Sequence, residues 1–378
     1  MKKNDISNYF GFVEMLKKQL KYPFSFLNKG KKSIEAWRKE AKERVFDLMA
    51  FRPKDVPFRA RVHGKAELDG VVIEDVSYDL SYGPKVKAYF LYPKYRTGKL
   101  PAIFVLHDHG GYKYFGKEKV TEFPGEYPLL KDFRNEYYGG RAYANELAKR
   151  GFAVLVIDLF MWGSRKFDPE YITDALMPEL KGKKRGSEEY IKKYNRNCAN
   201  HEGQVTKHLL NAGTTLQGVF SYEDRRGVDY LLTRKEIDPG RIGCVGLSGG
   251  GLRTVYLAGL DERIKCAVCV GFMSTYSEFL NNKTSCHTWM LNLPHLSRFL
   301  DFPDLVSLRV PAPLMVQYDI HDGLYTIKGQ RDADKRLQSI YAKAGKKENY
   351  KGIFYPGPHK FDLPMQEDAF DWFEKWLQ

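Results

Sequence analysis

The 378-residue sequence predicts an α/β fold: a mostly parallel, doubly wound sheet of about eight strands with helices on both faces. Short, continuous apolar runs such as 101–107 and 152–158 are typical of strands that are covered on both sides. These runs alternate with segments whose apolar residues recur at helical spacing, which is the pattern of a parallel sheet. Hydrophobic residues make up 43% of the chain and aromatic residues 14%, so its composition favours a large folded core.

The first 58 residues are predicted to form a helical extension that packs on a main domain, residues 59–378. Ser33 precedes a segment in which Trp37, Val45 and Leu48 follow helical spacing, and serine is a favoured residue at a helix N-terminus. Pro53 then ends the helix. We assign this extension no chemistry.

The main domain follows in chain order. Its predicted strands are 71–78, 85–92, 101–107, 152–158, 242–247, 264–272, 312–318 and 350–355. Its predicted helices are 141–149, 204–232, 252–260, 330–344 and an amphipathic C-terminal segment, 369–376. Two irregular stretches, at about 163–203 and 273–309, are predicted to be insertions over the carboxyl ends of the strands.

The net charge of +14 raises the question of a nucleic-acid or anionic partner. The lysines are dispersed, however, with local runs only at 29–32 and 181–185, and no recognition motif stands beside them. A solvated basic surface is therefore the preferred interpretation, and we expect no nucleic-acid partner. The charge leaves acidic substrates open.

Five cysteines are few for this length and odd in number, so no disulfide framework is predicted. Cys266 and Cys269 form a C-x-x-C inside an apolar run, without the second pair that a zinc site needs. The polar residues after Met1 predict no secretion signal, and no apolar run is long enough to span a bilayer. We expect a cytoplasmic protein without a membrane partner or a metal.

The segment 241–256 holds the main chemical signal, the pattern Gly246-x-Ser248-x-Gly250 between an apolar run and a helix-compatible segment. Serine at so tight a turn stands on strained backbone, with its hydroxyl above the sheet. The neighbouring glycines let the strand and the helix approach each other. The alternative is a glycine-rich loop with an incidental serine.

Three kinds of chemical group follow predicted strands in the chain order serine, aspartate, histidine: Ser248, Asp319 or Asp322, and His359. The carboxyl ends of parallel strands meet at one edge of a sheet, so these groups are expected to come together there. A neutral His359 could take the proton of Ser248. Asp322-Gly323 has turn chemistry and is favoured as the acid, while Asp319 remains the alternative or a ligand of loop amides.

The chain resembles the α/β-hydrolase superfamily and, more narrowly, its dienelactone-hydrolase-like and acetyl-xylan-esterase-like branch, over residues 60–378. The motifs that carry the resemblance are His107-x-His109-Gly110-Gly111, Asp158-Leu-Phe-Met-Trp-Gly163-x-Arg165, Arg241-Ile-Gly-Cys-Val-Gly-Leu-Ser248-Gly-Gly, Leu260-Asp-Glu-Arg-Ile-Lys and Tyr355-x-Gly-x-His359. The resemblance implies a Ser-His-Asp hydrolase in which Ser248 is the nucleophile, His359 the base and Asp322 the acid. Serine in place of the cysteine of dienelactone hydrolase proper points toward esters. No metal or organic cofactor is implied.

An oxyanion hole is also implied, made by the Gly249 N–H and a backbone N–H in the loop after the strand 101–107. Related esterases often have glycine where this chain has Asp108, which leaves the second donor open. His109 is preferred to Gly110.

Aromatic residues just past the strand ends are candidates for a substrate pocket, with Tyr112 and Trp162 foremost and Tyr114 and Phe115 beside them. Trp162 could stack on a sugar ring. The alternative is that each packs in the core beneath the insertions.

The first functional hypothesis is a carboxylesterase acting on a small-molecule ester, with an acylated sugar as one candidate. The second is a serine peptidase like the prolyl oligopeptidases, although these 378 residues hold no propeller-sized domain. The third is a binding protein that keeps the hydrolase scaffold without turnover. The oligomeric state is left open.

Overall fold

The computed structural model describes residues 4–173, 175, 177, 180, 182–281 and 283–378. Residues 1–3 of the predicted extension lie outside this described part, as do several positions of the two predicted insertions: 174, 176, 178, 179, 181 and 282.

A nine-stranded mixed sheet forms the centre of the molecule, in the order β1-β2-β3-β5-β4-β6-β7-β8-β9. The strands are β1 Arg61–Leu68, β2 Val71–Tyr78, β3 Val86–Pro93, β4 Leu100–Val105, β5 Ala153–Ile157, β6 Ile237–Leu247, β7 Ile264–Val270, β8 Leu314–Asp319 and β9 Tyr350–Tyr355. The first three strands pair in antiparallel fashion, and β3 pairs antiparallel with β5. Every other pairing is parallel, so the carboxyl ends of β4 to β9 share one edge.

Eleven α-helices accompany the sheet in the described residues. They are α1 Phe10–Lys17, α2 Ile34–Met49, α3 Pro128–Tyr137, α4 Tyr143–Lys149, α5 Glu188–Asn211, α6 Leu216–Thr233, α7 Gly249–Leu260, α8 Tyr276–Phe279, α9 Phe302–Val306, α10 Ile327–Lys343 and α11 Leu363–Leu377. None of them is long and apolar enough to cross a lipid bilayer.

Two hydrophobic clusters fill the space on either side of the sheet. Along β4, Ala102 and Phe104 pack in one cluster, whereas Ile103 and Val105 pack in the other, as the alternation of a strand requires. The first cluster includes buried residues of α2, α6, α7, α9 and α10, and the second includes those of α4 and α11. Helices therefore cover both faces, as the sequence predicts.

The N-terminal segment lies against the main domain through α2. Its N-cap, Ser33, accepts a hydrogen bond from the Ala36 N–H at 3.1 Å. Trp37 is buried in the first cluster, and Arg38 donates through Nε to the Leu308 carbonyl at 2.8 Å. These contacts attach the segment to the residues just before β8.

The single helix predicted at 204–232 is wrong, because two helices occupy this stretch. The chain leaves α5 through Gly213, whose φ of 82° lies in the left-handed region that glycine tolerates. Thr215 then caps α6 by accepting a hydrogen bond from the Gly218 N–H at 3.0 Å. The predicted insertion at 163–203 consequently includes most of α5.

Several elements are absent from the sequence prediction, including the short helices α8 and α9 of the second predicted insertion. β1 is an edge strand with mostly exposed residues, so its sequence shows little hydrophobic alternation. α3 lies in a stretch that reads as a polar, aromatic loop, and it buries only Leu130, Phe133 and Arg134.

Candidate active site

Ser248 stands at the turn between β6 and α7, which is the strand–turn–helix context that the glycine pattern predicts. Its φ of 59° and ψ of −117° are strained for a residue with a side chain. A Cβ on Gly250 would lie 2.0 Å from the Leu106 carbonyl oxygen, so only glycine allows α7 to approach the end of β4 so closely.

An imidazole–carboxylate pair lies at the same edge of the sheet. His359 follows β9, and its Nδ1 lies 2.6 Å from Oδ2 of Asp322, which follows β8. The carboxylate accepts a hydrogen bond from Nδ1–H of the imidazole. Nε2 therefore carries no proton and is free to accept one. Asp322 is further fixed by the Leu324 N–H, which donates to Oδ1 at 2.8 Å.

Asp319 occupies a different position from Asp322. Its Oδ2 accepts a hydrogen bond from the Lys360 N–H at 3.2 Å, which is the loop-amide role that the sequence left open for it. Burial raises the pKa of Asp319 to about 7. The structure therefore brings Asp322, rather than Asp319, to the imidazole.

Ser248 and His359 line one cavity of about 220 Å³. The Ser248 N–H donates to the Val270 carbonyl at the end of β7, at 2.9 Å. The next residue, Gly271, has a φ of 55°, and a Cβ there would lie 3.1 Å from Cε1 of His359. The Ser248 backbone and the His359 imidazole thus lie beside consecutive residues, Val270 and Gly271, at the end of β7.

Two forces act in opposite directions on the pKa of His359. Burial lowers this pKa, but the hydrogen bond and the charge of Asp322 outweigh burial and raise it above 6.5. An imidazole with this balance can receive a proton near neutral pH and is stabilised when it does so.

The predicted oxyanion donors also lie side by side. A Cβ on Gly249 would be 2.8 Å from the His109 amide nitrogen, so the two backbones approach within contact distance. Neither amide donates a hydrogen bond to a described residue. Both residues line the cavity.

Asp108, which replaces the usual glycine, has a structural explanation. Its Oδ1 accepts a hydrogen bond from the Tyr138 hydroxyl at 2.5 Å, and its Oδ2 pairs with Lys119 at 3.0 Å. The carboxylate is therefore held by buried partners. Arg253 of α7 donates to the His107 carbonyl at 3.2 Å and joins this loop to the serine helix.

The predicted pocket residues Tyr112 and Trp162 are not found in the cavity wall. Trp162 is 1% exposed and lies beneath the loop after β4, where its Nε1 donates to the His109 carbonyl at 3.4 Å. Tyr112 stacks on Phe133, with ring centroids 5.2 Å apart. Hydrogen bonding and stacking thus hold both rings in the packing alternative that the sequence left open. Tyr114 and Phe115 are also outside the wall.

Residues of the second insertion, instead of the predicted aromatic residues, line this side of the cavity. Cys286, His287 and Thr288 line the cavity together with Leu291, and no sequence signal marked them. Burial lowers the pKa of His287 to about 4, so its ring is neutral at neutral pH, and its Nε2 lies 3.0 Å from the Leu324 carbonyl. The apolar part of the wall includes Leu247, Leu252, Phe272 and Tyr325.

One group of metal-ligating side chains occurs in the described part of the chain: Asp319, Asp322 and His359, whose ligand atoms lie within 4.8 Å of one another. The hydrogen bond between Asp322 and His359 already uses Nδ1 of this imidazole. The hydrogen bond from Nδ1 to Asp322 fixes the orientation of the His359 imidazole.

No protein-family model matches the chain. The Bacillus subtilis protein YtaP, provisionally assigned as a hydrolase, is 26% identical over 343 residues, which is 90% of this chain and all of YtaP. The crystal structure of a Bacteroides fragilis protein, provisionally assigned as an acetyl xylan esterase, has a TM-score of 0.70 at 19% identity and covers 93% of this chain and 82% of its own.

A glucuronoyl esterase from Solibacter usitatus is also similar in structure, with a TM-score of 0.61 at 13% identity over 90% of this chain and 93% of its own. These likenesses confirm the predicted fold, that of the α/β-hydrolases.

Proposed function

We propose that this protein is a serine hydrolase that cleaves carboxylic esters through an acyl-enzyme. The observation that carries the proposal is the 2.6 Å hydrogen bond between His359 and Asp322 beside the cavity that holds the strained Ser248. In this assignment Ser248 is the nucleophile, His359 the general base and Asp322 the residue that orients the imidazole.

The proposed mechanism follows from the positions of the protons on the His359 imidazole. Nδ1–H of His359 is committed to Asp322, so the unprotonated Nε2 takes the hydroxyl proton as Ser248 Oγ attacks the ester carbonyl. The imidazolium then gives that proton to the alcohol as it leaves. Water repeats the same steps on the acyl-enzyme and releases the acid.

The carbonyl oxygen becomes an oxyanion during the attack. The amides of Gly249 and His109, adjacent and without other acceptors among the described residues, are the proposed donors. A preorganised donor of this kind stabilises the transition state by about 3 kcal/mol.

The cavity supports a small ester as the substrate. Its volume of about 220 Å³ and its mostly apolar wall suit a short acyl group, and neither lysine nor arginine is among the described residues that line it. The names of the acetyl xylan and glucuronoyl esterases support a sugar ester as the natural substrate class.

Non-catalytic binding is the less favoured alternative, because such a role does not require a nucleophile, a base and an acid at one cavity. The cytoplasm remains our proposed location, consistent with five free cysteines.

We expect Gly271→Ala to lower kcat by roughly 10- to 100-fold, because the added methyl group would lie 2.8 Å from Cδ1 of Leu247 and 3.1 Å from Cε1 of His359 and would displace these cavity-lining side chains. Gly345→Ala is the matched control, since Gly345 has a similar φ of 70° but open space around it. Both variants lose about 1–2 kcal/mol of stability from the left-handed backbone. Equal kcat values in the two variants would contradict the placement of the imidazole.

The pH profile of kcat/KM should rise with pH as His359 loses its proton, with a midpoint above 6.5. Burial lowers the pKa of both other histidines in the wall, His109 and His287, the latter to about 4, so neither accounts for a midpoint above 6.5. Initial rates with p-nitrophenyl acetate from pH 5 to 9 measure the profile. A midpoint below 6.5 would count against His359 as the base.

A substrate panel tests the proposal as a whole. p-Nitrophenyl acetate, acetylated xylo-oligosaccharide, a methyl ester of glucuronic acid and an aminoacyl p-nitroanilide would be compared for the wild type and Ser248→Ala. We expect Ser248-dependent cleavage of esters and none of the anilide. Activity that persists in the variant would refute the proposal.

A further inference from the structure

Glu202, on α5, is a buried carboxylate with three hydrogen-bond donors from two parts of the fold, the loop after β4 and the second insertion. Oε2 accepts from Nε2 of His109 at 2.9 Å and from the Lys113 ammonium. Oε1 accepts from the Trp289 N–H at 2.8 Å. Only 2% of Glu202 is exposed, so these contacts replace its hydration.

The hydrogen bonds of His109 fix its tautomer. The Gly111 N–H donates to Nδ1 at 3.1 Å, so Nδ1 must be the acceptor and Nε2 must carry the proton that Glu202 accepts. Burial lowers the pKa of His109, which keeps the ring neutral at neutral pH. The ring also contacts the edge of Trp162, with centroids 5.1 Å apart.

The remaining atoms of His109 are held from the other side. Its carbonyl accepts from Lys119 Nζ at 3.3 Å and from Trp162 Nε1 at 3.4 Å. With the carbonyl and the imidazole both fixed, the orientation of the residue is determined, and its amide nitrogen is left beside Gly249. The imidazole of His109 makes two hydrogen bonds, one with Gly111 of its own loop and one with Glu202 of α5. Glu202 is thus the partner that connects this ring to another element.

Glu202 also reaches the second insertion. Trp289, whose amide it binds, follows Thr288 of the cavity wall. Gln217 of α6 holds the Trp289 carbonyl at 2.9 Å. One carboxylate therefore links the loop that carries an oxyanion donor to the segment that encloses the cavity.

We propose that Glu202 is a positioning residue that holds the His109 amide in register with the Gly249 amide. This inference rests on the proposed esterase function. Glu202 acts through His109 and does not touch the reacting atoms.

Glutamine cannot replace Glu202 in this network. The carboxylate accepts on both oxygens, whereas a glutamine has one acceptor oxygen and an NH₂ group that would face a donor. If the oxygen accepts from His109, the NH₂ group opposes the Trp289 N–H; in the other orientation it opposes the His109 Nε2–H. A tautomer change at His109 does not help, because Nδ1–H would then oppose the Gly111 N–H.

Glu202→Gln is the test, with p-nitrophenyl acetate as the substrate. We expect kcat to fall roughly 10- to 100-fold with KM within about 2-fold, because the loss is confined to the oxyanion. A trifluoromethyl ketone that forms a tetrahedral adduct should bind more weakly by the same factor as kcat/KM falls. A purely structural defect would not produce this correspondence.

Glu223→Gln is the matched control. Glu223 on α6 is also buried; it accepts hydrogen bonds from the Phe160 N–H at 2.8 Å and the Tyr82 hydroxyl at 2.7 Å, and it forms an ion pair with Arg165. None of these residues lines the cavity. Its variant should lose thermal stability as Glu202→Gln does while kcat stays within about 3-fold of the wild type.

Equal losses of kcat in the two variants, or an unchanged kcat in Glu202→Gln, would overturn the inference. If Glu202→Gln does not fold, the double variant Glu202→Gln/Lys113→Met removes the charge and its counter-ion together and enters the same comparison. Ser248→Ala is measured alongside: retained activity there refutes the esterase proposal itself, whereas a Ser248-dependent enzyme indifferent to Glu202 refutes only the positioning role.

Discussion

Ser248→Ala is expected to lower kcat by about four to six orders of magnitude, because the hydroxyl oxygen of Ser248 is the proposed nucleophile. Alanine keeps the Cβ and removes only the hydroxyl, so the strained turn at φ 59° should persist. The measurement is the initial rate with p-nitrophenyl acetate, with circular dichroism as a check on folding.

Ser221→Ala is a matched control for that variant. Ser221 is buried on α6, away from the cavity wall, and its hydroxyl has no hydrogen-bond partner among the described residues. The control should keep its kcat within about 2-fold, since a surplus hydroxyl is removed. A Ser248→Ala enzyme that retained more than about 1% of the wild-type rate would exclude the proposed nucleophile.

Asp322→Asn is expected to lower kcat by roughly 10³- to 10⁴-fold. The new NH₂ group would face Nδ1 of His359, which currently donates to the carboxylate at 2.6 Å. The ring would then place its proton on Nε2, where it could no longer accept the proton of Ser248. Initial rates with p-nitrophenyl acetate measure this loss. The loss should appear in kcat, because the substitution changes the tautomer of His359 and not the binding of the substrate.

Asp319→Asn separates this effect from a general loss of charge near the imidazole. Burial raises the pKa of Asp319 to about 7, so this side chain is partly protonated at neutral pH. Its replacement by asparagine is therefore a smaller change of charge than the replacement of a fully ionised carboxylate. Its oxygen can still accept from the Lys360 N–H. We expect less than a 10-fold loss of kcat. If Asp319→Asn proved the more damaging variant, the two aspartates would exchange roles.

The sequence was sufficient to predict that the three candidate catalytic residues lie at one edge of the sheet, because each of them follows a strand. Ser248, Asp322 and His359 each follow a strand of apolar residues, and parallel strands deliver their ends to one edge. The glycines on either side of Ser248 also predicted the tight turn at that residue. Once the strands were recognised, the proximity of residues 248, 322 and 359 needed no knowledge of the loops.

The cavity wall was not predictable in the same way. Cys286, His287 and Thr288 lie in an irregular insertion, where no hydrophobic period indicates which side chains face inward. The role of Trp162 was left open for a related reason: an aromatic residue after a strand can line a pocket or support a loop, and its hydrogen bond to His109 decides between these two roles.

The general interpretation of the dispersed lysines as a solvated surface does not hold for the loop after β4. Lys113, Lys117 and Lys119 are buried, and they pair with Glu202, Asp158 and Asp108. Those carboxylates are distributed over α5, the end of β5 and the loop itself. Local sequence shows the lysines but not their distant partners, so neither the anchoring of this loop nor the role of Glu202 could be inferred before the structure.

The central claim is that Ser248 forms the covalent bond to the substrate, and trapping that bond tests it most directly. The protein would be incubated with diisopropyl fluorophosphate and examined by intact and peptide mass spectrometry. We predict one adduct per chain, on the peptide that contains Ser248, with loss of esterase activity in proportion and no adduct in Ser248→Ala. An adduct on another residue, such as the cavity-lining Cys286, or full activity without any adduct would contradict the account.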